Sequence, residues 1–284
     1  MAVFTSHPLM RIFRQIHFPY TRSMYPFQFK EYYHNLPIDL PDQPTIRANI
    51  HRYISGYTDE RCSKYWGFRS RARKFYKDRG TGIEYDWLST HGKRVQLCFY
   101  GQGLPEEIAA ICRMAVECGH VKVHNVKDWA EENFGTDCVG FANAYYCSLG
   151  SFDSAHYFIP NYKKIGGVAL SSADVRYDNA VLVARPKAGS TKGHWEVCPN
   201  PGNGNGAHIG VIDCWCDYGR SFWMTHQTSS WKYGILTEIF DILEWPDTTD
   251  EKVAHWTIRR RSGGRKWHVI ITKEMPNWSA AEAA

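Results

Sequence analysis

Three residues in this chain have the types and surroundings for nucleophilic chemistry: Cys138, His208 and His226. Cys138 lies in the stretch NFGTDCVGFANAYY, residues 133–146. Behind it Val139, Phe141, Ala142, Tyr145 and Tyr146 recur at helical spacing, and ahead of it Thr136 or Asp137 can cap a helix by accepting a hydrogen bond from its first free amides. The spacing therefore predicts that Cys138 sits in the first turn of a helix. There the partial positive charge of the helix N-terminus favours a thiolate, the nucleophilic form of the thiol. Gly140 leaves one side of that turn open to a substrate. A thiol nucleophile needs a base, and the base needs a group that orients it. His208 opens the apolar run AHIGVIDC, and His226 lies near the end of the run SFWMTHQ. If both runs are neighbouring strands, one imidazole can act as base and the other can hold its far nitrogen. Gln227 replaces His226 in that role if the register slips by one residue, because a slip turns every side chain to the other face.

The elements that must position these groups can be read around them. LPEEIAAICRMAVECG, residues 104–119, predicts a helix, with Pro105 near its start, Glu106 and Glu107 in the first turn and Gly119 as the stop. A short helix is expected at 126–132. After Tyr146 the pattern changes to strands: NAVLVA at 179–184, AHIGVIDC at 207–214 and SFWMTHQ at 221–227. PNPGNGNG, residues 199–206, is expected to be a loop near the site; it lacks the spacing of a phosphate loop. Residues 255–273 predict a hairpin with a basic tip at Arg259, Arg260 and Arg261, and residues 82–100 predict another hairpin turning at 89–92. Helices followed by antiparallel strands make an α+β fold.

DCVGFANAYY, then AHIGVID, then a strand ending in a polar residue resemble the NlpC-type cell-wall endopeptidases, a family of papain-like cysteine hydrolases. The resemblance covers roughly residues 104–240. It implies a papain-like core with helices packed on an antiparallel sheet. It also implies Cys138 as nucleophile, His208 as general base, His226 as orienting residue, and cleavage of an amide through a thioester, with peptidoglycan peptides as substrate. Two positions depart from the family pattern. Val139 stands where a small Ser is usual, and Asp178 with Asn179 stand where the family carries Gly-Asp ahead of the middle strand.

The remaining sequence sets boundaries on this reading. Its organisation is expected to be an extended aromatic and Pro-rich arm at 1–44, a basic aromatic accessory region at 45–103, and the hydrolase domain at 104–284. A net charge of +5 is mildly basic, but Arg69, Arg71, Arg73 and Lys74 cluster among aromatic residues, where arginines can clamp phosphates and rings can stack on bases. This supports a second class of function, an inactive nucleic-acid or anionic-polymer binder. A third is a structural component of an assembly such as a phage particle, with the arm wrapping a neighbour. The nine cysteines do not read as a disulfide framework in a chain this long. Cys112 and Cys118 with His120 and His124 match no zinc spacing, Cys214 and Cys216 read as small core or edge residues, and neither a metal nor a cofactor is called for. No run approaches the ~20 apolar residues of a membrane span, nor is there a signal-peptide core. The expectation is a soluble, by default cytoplasmic protein with reduced thiols, unless it is exported by another route.

Overall fold

The computed structural model describes residues 25–54, 57–80, 88–89, 92–149, 159–190, 193–198, 207–228 and 234–274. Most of the N-terminal arm, the expected turn at 89–92 apart from residues 89 and 92, and the Gly-rich loop at 199–206 lie outside the described residues. Two short helical segments, α1 (Pro26–Phe29) and α2 (Glu31–His34), open the described chain. Among the described residues the contacts divide it into two compact units, one running from residue 31 to 137 and the other made of residues 25–30 and those from 138 to 274.

The first unit is mainly helical. Two short strands, β1 (Leu36–Ile38) and β2 (Ile46–Ala48), pair antiparallel. They are followed by α3 (Asp59–Asp78), α4 (Gly92–Phe99), α5 (Pro105–Glu117) and α6 (Val126–Asn133). The basic, aromatic stretch forms the single long helix α3. Thr58 caps it by accepting from the Arg61 amide at 3.3 Å, and Tyr65, Phe68, Ala72 and Tyr76 bury one face while Arg71 and Lys74 stay exposed. The hairpin expected at 82–100 is corrected here: within its described part, residues 92–99 are helical. GKRVQLCF is short enough to read either way: Val95, Cys98 and Phe99 recur at helical spacing, while Val95, Leu97 and Phe99 alternate as in a strand. The tertiary environment chooses the helix, because Phe99 packs among the rings of Phe68, Phe134 and Trp129 at 4.9–6.4 Å between centroids. α5 and α6 form as expected, and Cys112 and Cys118 are buried in the apolar interior. They belong to this helical unit, whereas the sequence reading placed them in the hydrolase domain.

The second unit packs helices on a seven-stranded antiparallel sheet. Its helices are α1, α7 (Cys138–Ser148) and α8 (Ile159–Gly166). Its strands are β3 (Ala180–Pro186), β4 (Trp195–Val197), β5 (Ile209–Cys216), β6 (Ser221–Gln227), β7 (Ile235–Glu244), β8 (Trp256–Arg260) and β9 (Lys266–Ile271). Neighbouring strands run in the order β3, β5, β6, β7, β8, β9, and β9 returns to pair with β3, so the sheet closes into a barrel; β4 continues along the edge of β3. Bulges at Ile212/Cys214 and Ile242/Glu244 add the bends that closure requires. The expected strands at 179–184, 207–214 and 221–227 and the basic-tipped hairpin at 255–273 are all present, within a residue or two. The sequence reading left out β4 and β7.

Alternation along the strands gives the barrel two apolar faces. Val181, Ile212, Phe222, Met224, Phe240, Trp256, Ile258, Val269 and Ile271 point inward and form one buried cluster. Ala180, Leu182, Ile209 and Val211 alternate outward, yet they are also buried because helices cover that side. Among the described residues no helix is long and apolar enough to cross a membrane.

Candidate active site

Cys138 is the first residue of α7 and is buried. The helix is apolar all round, with Val139, Phe141, Ala142, Ala144, Tyr145 and Tyr146 buried, as a helix enclosed by other elements must be. It packs on β5 and β6, and Phe29 of α1 lies against Phe141 and Tyr145 with ring centroids 6.0 and 5.6 Å apart. The Thr136 hydroxyl, with one proton to give, lies 3.1 Å from the Gly101 carbonyl and 3.0 Å from that of Asp137. Asp137 accepts from the Gln102 side chain at 3.2 Å.

Two tyrosines anchor α7 to Asp178, two residues before β3. The Tyr145 hydroxyl donates to the Asp178 carboxylate, and the Tyr146 hydroxyl donates to the Asp178 carbonyl at 2.8 Å. Asp178 has φ +68°, in the left-handed region where glycine is at ease and most other residues are not. This is the position where the family resemblance leads one to expect Gly. Here an Asp holds the conformation, its side chain bound by Tyr145 and its amide donating to the Ile212 carbonyl at 2.9 Å. Asn179 performs a carboxylate-like task beside it, accepting the Arg176 amide.

His208 immediately precedes β5. Its carbonyl accepts from the Val183 amide at 3.0 Å, which ties this backbone to β3. Its ring Nε2 lies 2.8 Å from Nδ1 of His226, with the ring planes at 88°. In the register, Gly210 sits directly opposite His226, and His226 opposite Leu236. Gly210 is required there: a Cβ on it would lie 2.5 Å from Met224 Sδ and 3.1 Å from His226 Cβ. The structure thus brings His208 and His226 together. Gln227, the alternative to His226, alternates to the opposite face of β6.

The histidine pair continues into two groups that the sequence reading missed. His226 Nε2 lies 3.0 Å from Glu238 Oε2, and that same oxygen is 3.1 Å from Arg260 Nη2. The indole of Trp267 meets both imidazoles edge-on, at 5.4 and 6.1 Å, and Arg260 lies over it at 5.9 Å. Glu238 shares the inward face with Leu236 and Phe240, so a carboxylate on the apolar face of ILTEIFDILE was the available signal.

Electrostatics follow from enclosure. His226 is fully buried, and His208 keeps part of its surface open. Burial, together with the neighbouring His226 and the positive charge of Arg260, holds the His208 imidazole well below the ordinary histidine range. Burial lowers His226 as well, against the pull of Glu238. For Glu238 burial acts upward, but the hydrogen bond from His226 and the charge of Arg260 oppose it, and the carboxylate stays below its usual range. At neutral pH the arrangement is two neutral imidazoles and one ionised carboxylate. It can take up a proton at His208 and stabilise the resulting charge. Among the described residues no cluster of His, Cys, Asp and Glu is arranged to hold a metal ion. Cys214 is exposed, and Cys216 Sγ lies 2.9 Å from the Ser221 hydroxyl. Compared with protein-family models, curated proteins and solved structures, the chain matches none.

Proposed function

We propose that this protein is a cysteine hydrolase that cleaves an amide bond through a thioester, with Cys138 as nucleophile, His208 as general base and His226 as the group that orients the base. The observation that carries this reading is the 2.8 Å contact between His208 Nε2 and His226 Nδ1, which occupies one ring nitrogen of His208 and leaves Nδ1 for a thiol. It is supported by Cys138 at the start of a helix packed on β5 and β6, with His208 at the head of β5 and His226 on β6. The reading makes a geometric demand. α1 lies on the outward face of the barrel, where the Phe27 amide meets Asp213 at 2.7 Å, and its Phe29 is shared with α7, whereas His226 points inward. The reading therefore requires that His208, at the rim before β5 begins, reach the Cys138 thiol from that inward chain.

The reaction follows from these roles. His208 Nδ1 takes the thiol proton as the sulfur attacks the carbonyl carbon. The oxyanion develops beside the N-terminus of α7, whose positive dipole end favours negative charge. The leaving amine departs with the proton from His208. Water, deprotonated by the same imidazole, then hydrolyses the thioester. Peptides of the peptidoglycan type are the substrate class that the sequence resemblance implies. The test is competitive alkylation under native conditions, with the exposed Cys214 as internal reference. Buried Cys138 is expected to react faster than Cys214, and His208→Ala to abolish the excess. Labelling of Cys138 no faster than Cys214 overturns the proposal.

A binding role is the second reading, favoured by the solvent face of α3. There Trp66 is half-exposed with Arg69 over its ring at 5.0 Å, and Arg71 and Lys74 are exposed nearby. Arg71 also donates to the Cys118 carbonyl at 3.2 Å, so part of this basic face is engaged in the fold. Affinity for single-stranded nucleic acid that falls steeply with salt, and is lost on charge reversal of Arg69, Arg71, Arg73 and Lys74, would support this role; salt-independent or absent binding removes it.

A further inference from the structure

We infer that Glu238 is a positioning residue that sets the protons on both imidazoles, so that His208 presents a bare Nδ1. The inference deepens the hydrolase reading and rests on it for the role of His208.

Glu238, His226 and His208 are joined by hydrogen bonds that each need one donor. An ionised carboxylate can only accept. Arg260, 3.1 Å away, keeps Glu238 in that form, and no proton is left on Oε2 to give. The nitrogen of His226 that faces it at 3.0 Å must therefore carry a hydrogen. A neutral imidazole has one N–H, so Nδ1 of His226 is bare and accepts. The atom facing that lone pair at 2.8 Å is His208 Nε2, which must donate. The single proton of His208 is thus on Nε2, and its lone pair is on Nδ1. The reverse assignment would set two lone pairs against each other, at His226 Nε2 and the carboxylate. Trp267 walls both rings edge-on, and the rigid register that places Gly210 opposite His226 holds the chain in line. When His208 takes a proton, its charge is separated from the Glu238 carboxylate by one imidazole, and the same chain stabilises it. Without Glu238, His226 is free to carry its proton on either nitrogen, and the lone pair of His208 loses its fixed address. A carboxylate that merely fills space would not couple to a ring two hydrogen bonds away.

The test is ring-nitrogen NMR of the full chain with labelled histidine at pH 7.5, assigned through His208→Gln, because protonated and bare imidazole nitrogens resonate far apart. The wild type is expected to show His208 and His226 each as the single Nε2–H form. Glu238→Ala should turn both into mixtures. Glu238→Gln, whose amide oxygen can occupy the place of Oε2, should restore the wild-type pattern. Alkylation of Cys138 in the Ala variant should slow roughly tenfold, a modest share of what a general base contributes. A wild-type spectrum with the His208 proton on Nδ1 overturns the inference without any variant, even if Glu238→Ala fails to fold. So does a Glu238→Ala spectrum identical to the wild type. If the tautomers are as stated but Cys138 is no faster than Cys214, the hydrolase reading falls and the role of Glu238 stands.

Discussion

Replacing Tyr145 by Phe removes one hydroxyl and leaves the ring that packs on Phe29, so no cavity opens. What is lost is the donor to the buried Asp178 carboxylate, the bond that ties α7 to the turn before β3. Burial and the Asp178 charge push the Tyr145 hydroxyl far up, so it remains a donor at every working pH. A hydrogen bond to a charged group contributes about 1.5–3 kcal/mol. Asp178 has few alternatives, since it is itself buried and its amide is committed to the Ile212 carbonyl. The expected loss is therefore about 2 kcal/mol at pH 7. The effect also has a sign in pH. Burial raises the Asp178 carboxyl, and the Tyr145 bond opposes that rise. In Tyr145→Phe the native carboxyl moves higher still, so its destabilisation is complete above the native pKa and shrinks as acid protonates the group. The assay is urea unfolding of both proteins at pH 7 and at pH 4. A loss below about 0.5 kcal/mol at pH 7, the range of unremarkable surface changes, refutes the anchoring argument. An equal loss at both pH values refutes its electrostatic part.

Gly210→Ala should destabilise the barrel by about 1–3 kcal/mol, because a Cβ 2.5 Å from Met224 Sδ and 3.1 Å from His226 Cβ forces a packed core to shift. The thermal midpoint reads the loss, and a slower alkylation of Cys138 reads the displaced His226. Stability should also carry a histidine signature in acid. His208 and His226 are both held low in the fold, so the unfolded chain binds more protons below about pH 6.5, and their contribution is lost as pH falls through that value. The raised carboxyls of Asp178 and of Asp213, the latter pushed up to about 6 by burial, act in the opposite direction over part of the same window. The difference in urea midpoint between wild type and His208→Gln isolates the histidine part, and it should shrink from pH 7.5 to pH 5; a constant difference contradicts the assignment.

Local pattern determined a good deal of this chain. Helical spacing behind Cys138, the Pro105 start and the Gly119 stop, and the apolar runs at 179–184, 207–214 and 221–227 all correspond to elements of the structure, because each is decided by residues within a few positions of one another. The pairing of His208 with His226 was also legible, since two apolar runs of similar length close in sequence commonly form neighbouring strands. Other features depended on residues far apart. GKRVQLCF became a helix because of the rings around Phe99, not because of its own alternation. Barrel closure required β3 to meet β9 across the length of the unit, and no local signal encodes that pairing. Glu238 and Arg260 look like ordinary charged strand residues until the register turns them inward beside His226. A strand's period of two says which side chains share a face, but only the closed sheet decides which face becomes the interior, and that choice turned a pair of histidines into a chain ending on a carboxylate.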